Sequence, residues 1–501
     1  MISSSSMTCR PRRPVALLVM AVLLAGCAQS AGTAVGQPDT APQNPARLRL
    51  IGAANEQMAD GKLAEAGRLL DEAQGLGPEN ADLWLAIARL RFRGGEHLTA
   101  IEAADRALQL GPDHAPALLM RALMVRDAHG FADALPWFEA ALTADRTNKD
   151  AWAEYAATLG DSGRHRDMLN ALRELAKLAP DDSRVFYLQA VLAQRGSRPV
   201  LARSLLERSG MAARGVPAAL LLDALINLDQ GNYDSAAQQL ETLSARQPAN
   251  ARLRELLARA LLLSGRETEL VKRFATEAAR PEASAYLVML VARAHERLGD
   301  RASAAPLLER AFAEPSVALV ALADRPGLPA PTADLRKRGA AADWAGARSM
   351  AADFRTRFPA SADFAQLAGD AAFGGGDADA ALAAYAPAAS IRRPWSLTRK
   401  AVEAYRRKDD DLAADTLLAR HVAGEPDNIA ALAALAQALA RRKEWERSAL
   451  LLDHAIALGG GHDPALLVLR ADAARALGQR DAAERFSALA ADLRPPALTR
   501  R

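Results

Sequence analysis

The residues of this 501-residue chain that could do chemistry are eight histidines, two cysteines and a few runs of glycine, acid and arginine. A zinc site of the HExxH kind needs two histidines four apart around a glutamate. None of His97, His114, His129, His165, His295, His421, His454 and His462 is so placed. His454 and His462, eight apart across a glycine turn, read as solvated imidazoles rather than a ligand pair. The run Gly374-Gly375-Gly376-Asp377-Ala378-Asp379 lacks the alternating oxygen donors and closing Glu of a calcium loop. It suits a tight turn followed by an N-capping Asp. Lys408-Asp409-Asp410-Asp411 reads the same way, and no GxxxxGK[ST] phosphate loop occurs. No metal, cofactor or catalytic group is therefore expected, and the chain reads as a non-enzyme. Arg392-Arg393, Arg406-Arg407-Lys408 and Arg441-Arg442-Lys443 read first as charged turn ends favourable near helix C-termini. The sharper reading is a patch for an anionic partner: a polysaccharide, phospholipid headgroups or an acidic protein.

One thiol stands in a chemical context of its own. From Met7, Arg10, Arg12 and Arg13 make a positive stretch, and Val15 to Leu24 an apolar one, the order of a secretory signal. Leu24-Ala25-Gly26-Cys27 then resembles a bacterial lipobox. The resemblance implies cleavage before Cys27 and acylation of its sulfur and its new amine. Several acyl chains would anchor the protein stably where one would not. Cleavage would remove three arginines and Cys9, leaving 60 basic against 60 acidic residues and no thiol for a disulfide. Ala28 stands where an Asp would retain an enterobacterial lipoprotein in the inner membrane. The expected address is the outer membrane, facing the periplasm, with the inner membrane as the alternative. Residues 28–45 are small, polar and Pro-containing, as in a flexible tether.

The rest of the chain must position whatever surface does the work. Half of it is apolar, a quarter is charged and only 5% is aromatic. That balance favours helices packed on small side chains over a β-sandwich. A net charge of +3 excludes a strong global field for nucleic acid. Stepping by 34 residues from Arg47 puts Leu50, Trp84, Leu118, Trp152, Phe186 and Leu220 at position 4, and Ala54, Ala88, Ala122, Ala156, Ala190 and Ala224 at position 8. Position 20 holds Ala66, Ala100, Ala134, Met168, Ala202 and Ala236. Position 24 holds Leu70, Ala104, Phe138, Leu172, Leu206 and Leu240. Pro78, Pro112, Pro180 and Pro248 fall at position 32. With these residues the chain resembles the tetratricopeptide repeat family, whose unit is a helix hairpin. Small residues at 8 and 20 let the two helices cross closely, and Pro at 32 ends the second.

The pattern drifts but continues to about residue 315, and resumes after Asp324-Arg325-Pro326-Gly327-Leu328-Pro329-Ala330-Pro331. The expected fold is all-α: an α-solenoid of stacked repeats in two arrays separated by a Pro-rich break. The expected segments are a leader at 1–26, the lipidated Cys27 and tether at 27–45, arrays at 46–323 and 333–495, a linker at 324–332 and a tail at 496–501. In the family, positions 2, 5, 9, 12 and 13 of the first helix line a binding groove. Asn55, Arg89, Phe92, Arg93 and Arg126 are carried over there as partner-binding residues. Ile51 and Leu85 at position 5 rule against a Lys/Asn carboxylate clamp. The resemblance implies a protein or peptide partner and no nucleic acid, with a polysaccharide as another ligand class. The implied role is a membrane-anchored scaffold in an envelope assembly such as exopolysaccharide export, pilus assembly or secretion. The alternative is a recruiter of peptidoglycan enzymes.

Overall fold

The computed structural model describes residues 44–77, 79–248, 250–312, 319–323 and 329–493. The leader, Cys27, nearly all of the expected tether, the core of the Pro-rich stretch and the tail lie outside the described residues. Within them the chain forms 26 α-helices in thirteen successive hairpins and no strand. The first eight hairpins are α1 Pro45–Ala59 with α2 Leu63–Gln74, α3 Ala81–Arg93 with α4 His97–Leu110, α5 Ala115–His129 with α6 Phe131–Ala144, α7 Lys149–Asp161 with α8 His165–Leu178, α9 Ser183–Arg195 with α10 Pro199–Ser209, α11 Pro217–Asp229 with α12 Tyr233–Arg246, α13 Ala251–Leu263 with α14 Glu267–Ala278, and α15 Ala285–Arg297 with α16 Arg301–Ala311. The last five are α17 Ala333–Ala340 with α18 Trp344–Arg357, α19 Ala362–Gly374 with α20 Ala378–Ile391, α21 Trp395–Arg406 with α22 Asp411–Gly424, α23 Ile429–Arg441 with α24 Trp445–Ala457, and α25 Pro464–Ala476 with α26 Arg480–Leu493.

The 34-residue pattern explains the first six hairpins. All six position-8 alanines from Ala54 to Ala224 are fully buried, and so are the five position-20 alanines. Met168 is the larger residue at position 20, and its sulfur sits where Gly160 carries no side chain. A Cβ on Gly160 would lie 2.6 Å from that sulfur. Volume is thus exchanged across the crossing, as close packing requires. Position 24 fills the space beside it, with Phe138, Leu172 and Leu240 wholly buried. Position 4 differs from a core position: of its six residues only Leu118 is buried, and Trp84, Trp152 and Phe186 keep an exposed edge.

The ends of the helices are equally regular. Asn80, Asn148, Asn250 and Asn428 stand just before the first helix of their hairpins and accept from the third residue's N–H. Each such cap is worth about 1 kcal/mol. Between the helices of a hairpin one residue adopts positive φ. It is Gly at 61, 95, 130, 163, 231, 265, 299, 376 and 478, but Ser197, Ala342, Asp409 and Lys443 elsewhere.

The last five hairpins meet the first eight. Leu98 N–H donates to the Ala360 carbonyl at 3.1 Å, and Arg393 N–H to the Asp127 carbonyl at 3.1 Å. Arg195 reaches Asp427 at 3.5 Å. Arg293 donates to the carbonyls of Asp492 and Leu493. Loops that join successive hairpins of the later set therefore seat against α4, α5 and α9 of the earlier set, and the end of α26 seats against α15.

Candidate functional site

The tetratricopeptide resemblance implies one groove face on each first helix, at positions 2, 5, 9, 12 and 13. On α13 and α15 these positions enclose a cleft of about 430 Å³. Arg259, Leu262 and Leu263 come from α13. Tyr286, Met289, Arg293, Glu296 and Arg297 come from α15. His462, from a 3-10 turn at Gly460–His462, and Leu493 of α26 complete the wall. Its floor is apolar, and its rim carries three guanidiniums.

Two of those guanidiniums are already used. Arg293 pairs with Glu296 at 3.1 Å and holds the end of α26. Arg297 donates to the Leu262 carbonyl at 2.7 Å and pairs with Glu267 at 3.0 Å. Among the described residues Arg259 hydrogen-bonds only with the His462 Nε2, at 3.3 Å. Burial and then the neighbouring Arg259 hold the His462 imidazole below its ordinary pKa. Its ring nitrogen therefore stays neutral and can accept from the guanidinium. Next door, burial raises the Asp463 carboxyl to about 6, and the nearby Glu255 adds to the effect. The Tyr286 hydroxyl is raised by burial as well. A free cation above an apolar floor suits a partner side chain or helix face with an acidic neighbour.

The groove residues read from sequence fall into two groups. Asn55 is half-buried on α1, and Phe92 is exposed, its ring edge-on to His97 at 5.3 Å. Arg89 makes no ion pair among the described residues. Burial lowers its pKa, Arg93 adds to this, and Asp82 opposes it. These three are available to a partner. Arg93 and Arg126 are engaged. Arg93 Nη1 donates to the Met58 carbonyl of the preceding hairpin at 2.5 Å. Arg126 Nη1 pairs with Glu154 of the following one at 2.8 Å.

Arg93 shows a device that reading the groove from sequence missed. Position 13 is also Arg at 195, 297 and 407. Each caps the end of the preceding first helix, through the carbonyls of Gly160, Leu262 and Phe373. Arg407 in addition stacks over the Phe373 ring, 3.8 Å from its centroid. The sequence signal was the recurrence at 93, 195 and 297, three repeats apart each time. A charge-assisted bond to an orphan helix carbonyl stabilises the stack of hairpins.

The other chemistry-bearing residues serve the fold. His454 contacts the Pro426 carbonyl at 3.2 Å. Asp377 and Asp410 cap the helices that follow them. A buried cluster joins Asp370, Tyr385 and Lys400. Lys400 Nζ lies 2.7 Å from one Asp370 oxygen, and the Tyr385 hydroxyl donates to the other at 2.9 Å. Burial pushes the Asp370 and Tyr385 pKa values up. Lys400 also donates to the Ala321 carbonyl at 2.9 Å, tying residues 319–323 to α21. No group of three or more His, Cys, Asp or Glu residues among the described residues could hold a metal. No described helix is long and apolar enough to cross a membrane.

The family model of the tetratricopeptide repeat matches residues 51–115, 99–150 and 221–285. No curated protein matches the chain. Among solved structures, a tetratricopeptide repeat protein from Parabacteroides merdae is 17% identical, with 54% of this chain and 93% of that one covered and a TM-score of 0.28. Pseudomonas aeruginosa pilF is 20% identical over 46% of this chain and 91% of its own, with a TM-score of 0.30. A human IFIT1 dimer with m7Gppp-AAAA is 16% identical over 68% and 80%, with a TM-score of 0.39. At such scores nothing of those proteins' roles carries over.

Proposed function

The chain is built of tetratricopeptide repeats, and on that premise we propose that it is a scaffold that gathers protein partners along the groove faces of its hairpins. The observation that carries this reading is the cleft on α13 and α15. Its lining comes from groove positions of two successive repeats, and it combines an apolar floor with the unpaired guanidinium of Arg259. That combination supports docking of an amphipathic segment, by burial of its apolar side and pairing of an acidic one. Acylated Cys27 would fix the scaffold to the outer membrane, with the tether setting its reach into the periplasm. The partner would belong to an envelope assembly for export, pilus building or secretion.

A photo-crosslinking residue in place of Met289 tests this in the cell of origin. The expected result is one or more covalent adducts with components of such an assembly, retained in the membrane fraction. Recovery of peptidoglycan synthases or hydrolases would move the role to recruitment of cell-wall enzymes. No adduct from Met289, with adducts from exposed positions on second helices instead, would overturn groove docking. Cys27→Ala is expected to release the protein from membranes, and its retention would overturn the anchor.

A further inference from the structure

The later hairpins carry a second groove face, and its occupant can be argued from charge. The Arg407 cap on Phe373 sets the register there, as the Arg93 cap on Met58 does for α3. Counting from it, Arg399 and Arg406 stand at positions 5 and 12 of α21, and Arg441 at position 13 of α23. None of the three makes a hydrogen bond or ion pair among the described residues. Arg399 is half-buried. Arg406 Nε is buried with no partner at all. Arg441 is exposed and close enough to Arg406 to repel it. The carboxylates nearest to Arg406 are mostly taken. Glu403 lies 3.6 Å from Arg407, and Asp415 lies 3.4 Å from Arg442. Arg126 and Arg254, also partly buried, are by contrast paired with Glu154 and Glu277.

One repeat earlier, polypeptide already lies beside the groove positions Phe373 and Gly374 of α19. Residues 319–323 lie there without helix, with Ala321 and Leu322 buried against α17 to α21. Lys400 and Arg336 donate to the carbonyls of Ala321 and Ala323. Main chain is therefore held beside this face by cationic donors at position 6 of α21 and position 4 of α17. Further along, the donors continue and the chain's own segment does not.

We propose that the groove face of α21 and α23 is a binding site for an acidic segment of a partner protein, whose carboxylates pair with Arg399, Arg406 and Arg441. Two half-buried guanidiniums are recessed from a flat bilayer surface, which sets membranes aside. Partly desolvated cations gain more from an arriving carboxylate than fully solvated ones do. The proposal deepens the scaffold reading, since it supplies the chemistry of one partner. Its site is distinct from the cleft on α13 and α15.

The test is fluorescence anisotropy of a labelled decaglutamate peptide with the purified full-length chain in detergent. Saturable binding that weakens with salt is expected. R399Q/R406Q/R441Q should weaken it by at least about tenfold. R68Q/R166Q/R485Q, which removes the same charge from exposed second-helix positions, should change it less than about twofold. If the first triple variant loses its helical circular dichroism, R441Q alone decides, since its residue is exposed; about a threefold loss is expected. Equal loss in both triple variants, or no saturable binding, would overturn the proposal. So would binding of an alginate oligomer while decaglutamate stays silent, which would assign the surface to polysaccharide. Because the assay uses pure protein, its failure leaves the Met289 crosslinking result standing, and the converse holds too.

Discussion

Gly130 and Gly424 meet backbone to backbone. A Cβ built on Gly130 would stand 2.3 Å from the Gly424 Cα, and one on Gly424 would lie 2.9 Å from the His129 carbonyl oxygen. Gly130 also has φ of 102°, a conformation that L side chains rarely adopt. No flexible side chain is available there to yield. Gly130→Ala is therefore expected to cost about 3 kcal/mol, and Gly424→Ala clearly less. Urea denaturation of the two variants checks the order. A neutral Gly424→Ala would show that the close approach is not maintained in solution.

Gly369 stands at position 8 of α19, where the earlier repeats use Ala. A Cβ there would come within 2.4 Å of the Tyr385 ring, which is buried and bonded to Asp370. Gly369→Ala should destabilise by about 1–3 kcal/mol through overpacking. Paired with Tyr385→Leu, it should cost less than the sum of the two single changes, because the smaller side chain leaves room for the methyl. A double-mutant cycle reads this coupling directly.

Arg89 and Arg93 lie on the same face of α3 and make opposite predictions. Arg93→Ala removes the cap on the Met58 carbonyl and should cost about 1 kcal/mol. Arg89→Ala removes a cation that burial and Arg93 both disfavour, so stability should stay within about 0.5 kcal/mol of the parent. Thermal unfolding of both variants separates the structural arginine from the one free for a partner.

The Asp463 carboxyl is raised to about 6 in the folded chain from 3.8. Between those values the folded state holds more protons than the unfolded one, so stability falls as pH rises from about 4 to 6. The loss is on the order of 2 kcal/mol. Asp463→Asn keeps an oxygen for the Ala465 N–H and removes the titration. Denaturant midpoints at pH 4.5 and 7.5 should therefore differ less in the variant than in the parent.

These residues also mark how far the fold can be read from sequence. Positions 8, 20 and 24 were legible because each is decided inside one hairpin, by how closely two neighbouring helices cross. At Gly369 and Gly160 it is the partners, Tyr385 and the Met168 sulfur, that explain why Gly stands there. Arg93 was legible as a groove residue by register alone. Its bond to Met58 depends on how one hairpin stacks on the last, which a single repeat does not encode. The meetings of Leu98 with Ala360 and of Arg259 with His462 join residues some two hundred or more apart. Nothing in either local sequence announces the other. The cleft on α13 and α15 is hidden for a simpler reason: the repeat pattern drifts there, so its groove positions carry no clear mark in sequence.

The meeting of early and late hairpins also changes what kind of folding problem this is. A linear solenoid is nearly one-dimensional, so each repeat can form or fray against its neighbours alone. Here hairpins far apart in sequence are tied together, and the ties close loops of about two hundred residues or more. Such closures have a large entropic cost and form after the local hairpins do. Once formed, they make the two ends of the chain report on each other. Amide exchange at the α5–α6 junction should thus slow only when α20 and α22 are also in place, giving a string of small units the cooperativity of a single body.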